Sequence, residues 1–110
     1  MMQAQTLELV TDDEGFLLNP DDWNDTIAGE LARKENISLG PEHWEVLNFM
    51  REYYTQHRIA ADARFVIKFL NEKYVGGTGR ARLYRLFPYG YMQQACKVAG
   101  MRRPRAWSTG

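Results

Sequence analysis

One stripe of apolar residues constrains the fold of this chain more than any other feature of its sequence. Its members recur at three- and four-residue steps and end at Gly76-Gly77: Ala63, Val66, Ile67, Leu70 and Tyr74. This period is that of an amphipathic α-helix with one buried face. A second stripe with the same period follows Leu39-Gly40-Pro41 and runs to about His57. The chain is therefore predicted to be mainly helical.

Three further helices are predicted from start and stop signals, over about residues 20–35, 79–87 and 91–99. The first is expected to begin at Asn19-Pro20 and to break near Gly29. Thr78 is the expected cap of the second, and Gly100 ends the third.

Residues 6–18 have the pattern of a short β-hairpin. Residues 6–10 alternate between polar and apolar, an acidic turn ending at Gly15 follows, and Phe16-Leu17-Leu18 resumes the apolar run. We expect Gly15 near the positive-φ position of this turn.

The expected fold class is α+β, mainly α, with an N-terminal hairpin and about five helices in one domain, residues 1–110. A globule of 110 residues can bury a sizeable core without disulfide bonds. Residues 101–110 are rich in basic side chains and are predicted to form a mobile C-terminal arm.

The net charge of zero conceals a strong asymmetry along the chain. Residues 1–55 hold three bases and twelve acids, whereas residues 56–110 hold eleven bases and two acids. Two explanations are open: the halves pair with each other across the fold, or the basic half forms a surface for an anionic partner.

The glycine-rich segment Gly76-Gly77-Thr78-Gly79-Arg80 joins two predicted helices. It is either a tight interhelical turn or an anion site at a helix N-terminus, and it lacks the Gly-Lys-Ser/Thr of a nucleotide-binding P-loop. The two helices also have the order of a helix-turn-helix, in which Arg80, Arg82 and Arg85 would face DNA. A DNA-binding regulator is therefore the alternative function.

Cys96 is the one cysteine in the sequence. It excludes an internal disulfide and a cysteine-rich metal site, and it favours a reducing, cytoplasmic setting. The thiol is either a small buried hydrophobe or a nucleophile whose pKa is lowered by Lys97, Arg102 and Arg103.

The sequence gives little support for a metal site, a membrane-spanning segment or independent hydrolytic catalysis. His43 and His57 lie fourteen residues apart and cannot share a metal ion, so no metal or other cofactor is predicted. No apolar run approaches the ~20 residues of a membrane span, and the N-terminus does not resemble a signal peptide.

Two segments towards the C-terminal end form a recognisable signature: Gly76-Gly77-Thr78-Gly79-Arg80 through Leu83-Tyr84-Arg85-Leu86-Phe87-Pro88, and Gln94-Ala95-Cys96-Lys97-Val98-Ala99-Gly100. They resemble the carboxy-terminal signature of the DsrC/TusE/DsvC family, sulfur-relay proteins that include the gamma subunit of dissimilatory sulfite reductase. Upstream, Gly15-Phe16-Leu17, Asp22-Trp23 and residues 39–44 also fit, so the resemblance covers nearly the whole chain.

The resemblance implies a small helical protein whose flexible arm ends in a penultimate cysteine. That cysteine receives sulfur as a persulfide and presents it to sulfite reductase or to the tRNA 2-thiolation machinery. Dissimilatory members carry a second cysteine upstream, in a C-x10-C arrangement. Here Cys96 matches the upstream cysteine, but Trp107 stands where the terminal one is expected.

The prediction is a sulfur-relay protein without the terminal sulfur-accepting cysteine. It is expected to be a regulatory or binding paralogue, or a persulfide carrier that uses Cys96 alone, and not an independent turnover enzyme. Partners implied by the resemblance are sulfur-transfer proteins of the DsrEFH/TusBCD type or sulfite reductase. The residues predicted to contact them are Arg80, Arg82, Arg85, Lys97, Arg102, Arg103, Arg105 and Trp107.

Overall fold

The computed structural model describes residues 9–102, which form a helical fold. In chain order its elements are a 3₁₀ turn Pro20–Asp22, α1 Asp25–Lys34, α2 Pro41–His57, α3 Ala63–Lys73, α4 Gly79–Leu86, a π-helical segment Tyr91–Ala95 and α5 Cys96–Val98. The predicted positions of the helices are confirmed, and the segment predicted over residues 91–99 begins with π-helical rather than α-helical turns. No helix among residues 9–102 is both long and apolar enough to cross a membrane.

The main core lies where α2, α3, α4 and α5 meet. α2 contributes Val46, Leu47 and Met50, and α3 contributes Val66 and Leu70 from the stripe that defined it. A smaller cluster of Leu17, Ile27 and Leu31 joins α1 to the N-terminal turn. The helical periodicity thus identified the faces of α2 and α3 that face the core.

The predicted β-hairpin is not formed in the described residues. Thr11 and Leu17 make one isolated antiparallel bridge, and Gly15 takes the predicted positive φ, at 93°. The Asp12 carboxylate accepts hydrogen bonds from the amides of Glu14 and Phe16, so the turn is closed by a side chain. Phe16 and Leu17 are both buried, which is incompatible with the alternation of a strand that has one core face. Residues 6–8 of the predicted hairpin lie outside the described residues.

The break in the first predicted helix falls earlier than expected. Gly29 lies inside α1, and the interruption is at Trp23 and Asn24, between the 3₁₀ turn and α1. Asn19 caps the 3₁₀ turn as predicted, and Asn24 caps α1 by accepting a hydrogen bond from the Ile27 amide. Each of these two caps begins its own helical segment, so the break lies between the two segments and not at Gly29.

The turn between α3 and α4 brings the two helices into close contact. Gly76 and Gly77 have positive φ values of 102° and 62°. A Cβ at Gly79 would lie 2.5 Å from the Ile67 carbonyl oxygen, so this position requires glycine. Thr78 stands at the cap position without making a side-chain cap, and Asn71 Oδ1 accepts from the Gly79 amide at 2.7 Å instead.

Candidate functional site

Cys96 lies inside the core. Its side chain is completely buried beside Tyr91, whose hydroxyl donates a hydrogen bond to the Ala61 carbonyl. Burial raises the pKa of the Cys96 thiol to about 12, and a hydrogen bond with Tyr91 acts in the opposite direction. Burial likewise raises the pKa of the Tyr91 hydroxyl. The thiol is therefore protonated near neutral pH, and protonated thiols are poor nucleophiles.

Lys97 does not act on the thiol that precedes it in the chain. Its ammonium group donates to Glu35 at 3.0 Å and lies 5.1 Å from the centre of the Phe16 ring. Gln94 donates to the other oxygen of Glu35 at 3.4 Å. Only 13% of the Lys97 side chain and 19% of the Glu35 side chain are exposed. Of the two alternatives for Cys96, the structure therefore favours the small buried hydrophobe, and Lys97 points away from the thiol because consecutive helical side chains point in different directions.

Arg82 and Arg85 of α4 both pair with Glu42 in the first turn of α2. The distances are 2.9 Å and 2.8 Å. Arg82 is 18% exposed and its guanidinium lies 3.8 Å from the centre of the Tyr74 ring, whereas Arg85 is 62% exposed. Arg82 is therefore part of the α2–α4 packing rather than a free cation for a partner.

Two of the predicted site residues, Arg80 and Arg102, remain accessible to a partner in the folded protein. Both are exposed, and neither forms an ion pair with any residue from 9 to 102. The remaining predicted positions, Arg103, Arg105 and Trp107, lie outside the described residues, as do all residues of the predicted arm after Arg102.

The charge asymmetry of the sequence is resolved mainly by pairing within the molecule. Bases of the second half meet acids of the first in these pairs: Arg58–Asp21, Lys73–Glu45, Arg82–Glu42, Arg85–Glu42 and Lys97–Glu35. The first of the two explanations therefore accounts for most of the basic residues outside the arm that the structure describes.

The helix-turn-helix hypothesis is not favoured by this geometry. Of the three arginines assigned to DNA, Arg82 and Arg85 pair with Glu42, and only the third, Arg80, makes no ion pair with residues 9–102. The anion-site hypothesis for the glycine-rich turn is also weakened, because the Gly79 amide is bonded to Asn71. The turn acts as a close-packed connection between α3 and α4.

The two histidines make contacts within the fold and do not lie near one another along α2. His43 Nδ1 accepts from the Gly40 amide at 3.0 Å, and its Nε2 lies 3.0 Å from the Leu86 carbonyl oxygen, which ties the start of α2 to the end of α4. His57 is exposed and contacts the Tyr53 ring. Over residues 9–102 no three His, Cys, Asp or Glu side chains gather in a way that suits a metal ion.

The residues that hold the end of α5 were not predicted from the sequence. Trp23 Nε1 donates to the Val98 carbonyl at 2.9 Å, and Arg51 donates to the Ala99 carbonyl at 3.0 Å. Arg51 lies four residues after Leu47, on the buried side of α2, and a charge on an apolar face is a signal that was available in the sequence.

Comparison with known proteins gives one consistent result. Residues 3–106 match the family model described as DsrC like protein. The chain is 41% identical over 105 residues to "Sulfurtransferase TusE" of Escherichia coli (strain K12), covering 94% of this chain and 96% of that one. It is 41% identical over 105 residues to the protein of the same name from Photorhabdus laumondii, with coverage of 94% and 95%.

Solved structures with the same fold lead to the same group of proteins. The oxidized gamma-subunit of the dissimilatory sulfite reductase (DsrC) from Archaeoglobus fulgidus superposes with a TM-score of 0.81 at 28% identity, covering 90% of this chain and 91% of that one. Allochromatium vinosum DsrC gives a TM-score of 0.79 at 36% identity, with 96% of both chains covered. Two of these four proteins are named sulfurtransferases, the third is a subunit of dissimilatory sulfite reductase, and the fourth shares the name DsrC with that subunit.

Proposed function

This chain belongs to the DsrC/TusE family of sulfur-relay proteins, and from that premise we propose that it binds sulfur-transfer partners and does not carry sulfur on Cys96. The proposed partners are sulfur-transfer proteins of the kind its relatives serve, or sulfite reductase. The proposed setting is the cytoplasm, where a single reduced cysteine is stable.

The burial of Cys96 is the observation that carries this proposal. Loading a persulfide requires a thiolate that attacks the terminal sulfur of a donor persulfide, forms a new S–S bond and releases the donor as its thiolate. The Cys96 thiol is 0% exposed and its pKa is raised to about 12. A donor reaches this sulfur atom only after the helical core around α5 opens.

The proposed binding surface lies at the C-terminal end of the described chain. Arg102 is exposed there, next in sequence to Arg103, Arg105 and Trp107. Because Lys97, Arg82 and Arg85 are already paired within the fold, the predicted contact residues that remain for a partner are Arg80, Arg102 and the residues after Arg102 in the sequence. Exposed charges of this kind chiefly speed association and set partner choice.

Intact-mass analysis after incubation with glutathione persulfide tests the sulfur-carrying part of the proposal. The folded protein is expected to keep its mass, while the same chain unfolded in guanidinium chloride gains about 32 Da, the mass of one sulfur atom. Cys96→Ser is the matched control and is expected to stay unmodified in both conditions. A gain in the folded wild-type protein that Cys96→Ser abolishes would show that Cys96 is a carrier after all.

Titration against a purified sulfur-transfer complex of the relay type tests the binding part. We expect the wild-type protein to bind and a variant with Arg102, Arg103 and Arg105 all replaced by Gln to bind more weakly at low ionic strength. Equal affinity of the two proteins would exclude the arm as the binding surface. If the wild-type protein bound neither this complex nor sulfite reductase, the proposed function would be contradicted.

A further inference from the structure

An open groove lined mainly by aromatic side chains lies between α2 and α3. Its volume is about 310 Å³, and its lining residues, which we call the aromatic groove, are Phe49, Tyr53, Phe65, Lys68, Phe69 and Glu72. The four lining residues of α3 are spaced by three and four positions, so they share one face of that helix. Val66 and Leu70 on the other face of α3 are buried in the main core. The helix therefore has a second face that contains apolar residues and is open to solvent.

The four aromatic rings of the groove form a continuous row. Phe49 and Phe69 are stacked with their ring centres 4.6 Å apart, and the Tyr53 ring centre lies 5.6 Å from that of Phe65. Phe65 is 41% exposed, and the other three are only partly buried. Contiguous exposed apolar surface is typical of protein-binding sites, and the centres of such sites are enriched in aromatic residues.

The charges beside these rings are complementary to a second copy of the same helix. Lys68 and Glu72 form a pair at 2.7 Å, with side chains that are 72% and 66% exposed. If Lys68 faces Glu72 of a second copy in an antiparallel helix pair, then Glu72 faces Lys68 of that copy. This reciprocity is what a twofold-symmetric interface requires. Because an exposed pair within one helix contributes little to stability, its members can exchange partners at low cost.

The same antiparallel register brings together two exposed apolar residues. Phe65 lies three positions before Lys68, and Val75 lies three positions after Glu72. Val75 follows Tyr74, the residue that ends α3, and is 96% exposed. In this register Phe65 of each copy approaches Val75 of the other. One arrangement thus pairs both charges and covers both apolar side chains.

We propose that the aromatic groove is the interface of a homodimer in which α3 of one copy lies antiparallel to α3 of the second. Two helices from each copy then pack as a four-helix arrangement. The interface is small, so the expected dissociation constant is on the order of 10–100 µM. Neither Cys96 nor the predicted arm takes part, and the proposal does not depend on the proposed function.

Sedimentation equilibrium of the full chain under reducing conditions is the first measurement. We expect the weight-average mass to rise from that of a monomer at about 5 µM towards twice that value at about 1 mM. The reductant removes dimers that are linked by a disulfide bond.

Charge reversal tests the register. Lys68→Glu alone and Glu72→Lys alone each place like charges opposite one another, and each is expected to weaken dimerisation at least about tenfold. A mixture of these two variants restores both pairs between the copies, while the pair within each helix stays broken. We therefore expect the mixture to dimerise within about threefold of the wild-type affinity.

A control mixture separates this register from general attraction between oppositely charged proteins. Asp13→Lys changes the net charge by the same amount as Glu72→Lys, but at an exposed position in the N-terminal turn. Mixed with Lys68→Glu, it is expected to give no rescue.

Phe65→Gln tests the aromatic part of the interface and is expected to weaken dimerisation about thirtyfold. Tyr89→Gln is the matched control, because Tyr89 is 75% exposed and does not line the groove; it is expected to leave the affinity unchanged. Circular dichroism identifies the variants that fold, and the charge variants decide the question if Phe65→Gln does not.

Three results would overturn the proposal. The first is a wild-type protein that stays monomeric throughout the concentration range. The second is a mixture of Lys68→Glu and Glu72→Lys that dimerises no better than the control mixture. The third is a monomeric wild-type protein whose binding to a sulfur-transfer complex is lost in Phe65→Gln, which would assign the groove to a different protein.

Discussion

The basic residues of the second half of the chain lie in two regions with different surroundings. In α4 and α5, Arg82, Arg85 and Lys97 each meet a glutamate of the first half at 3.0 Å or less. After Gly100, Arg102 is exposed and has no ion pair within residues 9–102. The comparison teaches that a basic run in a sequence is available to a partner only where the fold has not already neutralised it.

The largest expected effect comes from breaking the most buried pair. Lys97→Met leaves the largely buried Glu35 carboxylate without a charged partner, with only the Gln94 hydrogen bond, and is expected to lower the free energy of unfolding by about 3 kcal/mol in urea titrations at neutral pH. Lys68→Met, which removes an exposed pair with Glu72, is the control and is expected to cost less than about 0.5 kcal/mol. Equal losses in the two variants would mean that the Lys97 pair is as well solvated as a surface pair.

A second substitution separates the two arginines that share Glu42. Arg82→Met removes an ion pair and a cation–π contact with Tyr74, and we expect a loss of about 2 kcal/mol in unfolding free energy. Arg85→Met removes a pair that is largely exposed and is expected to cost less than about 1 kcal/mol. The same urea titrations measure both, and a larger loss for Arg85→Met would contradict the packing role of Arg82.

The pH dependence of stability reports on Cys96 itself. Its pKa rises from an ordinary value of 9.0 to about 12 in the folded protein. The thiol thus contributes stability that is complete below about pH 9 and is lost as pH rises towards 12. Relative to Cys96→Ala, wild type is expected to lose about 1 kcal/mol of unfolding free energy between about pH 8 and pH 10. Parallel pH profiles for the two proteins would show that the thiol is not shielded.

The smallest expected effect on stability comes from the exposed residue after Gly100, Arg102. Arg102→Gln is expected to change the unfolding free energy by less than about 0.5 kcal/mol, while weakening binding to a sulfur-transfer partner about threefold at low salt. Arg80→Gln is the matched variant, because Arg80 is also exposed and unpaired among the described residues. Loss of affinity in Arg80→Gln but not in Arg102→Gln would move the binding surface from the arm to the start of α4.

The regular helices were the most predictable part of the fold. For α2 the apolar stripe and Gly40-Pro41 indicated the bounds that the structure shows, Pro41–His57. The errors arose where a side chain, rather than the backbone pattern, ends an element. Asp12 closes the N-terminal turn before a hairpin extends, and Asn71, from a different helix, replaces Thr78 as the cap of α4.

The site was predictable in identity but not in geometry. The motifs around Gly79 and Cys96 were sufficient to recognise the family, which the match to its model confirms. Lys97, predicted to contact a partner, pairs with Glu35 instead, and Trp23 and Arg51 were missed. Arg51 contacts a residue 48 positions away in the chain, and Trp23 contacts one 75 positions away, separations that no local pattern spans.

The sequence by itself determined the helices, the family and the number of thiols available for sulfur chemistry, because periodicity, motifs and counts are properties of neighbouring residues. Only the tertiary structure decided which charges are free and whether Cys96 is reactive. Both depend on burial and on partners brought together from the two halves of the chain. A buried thiol and a paired base have the same letters in the sequence as an exposed thiol and a free base, and desolvation gives them different chemistry.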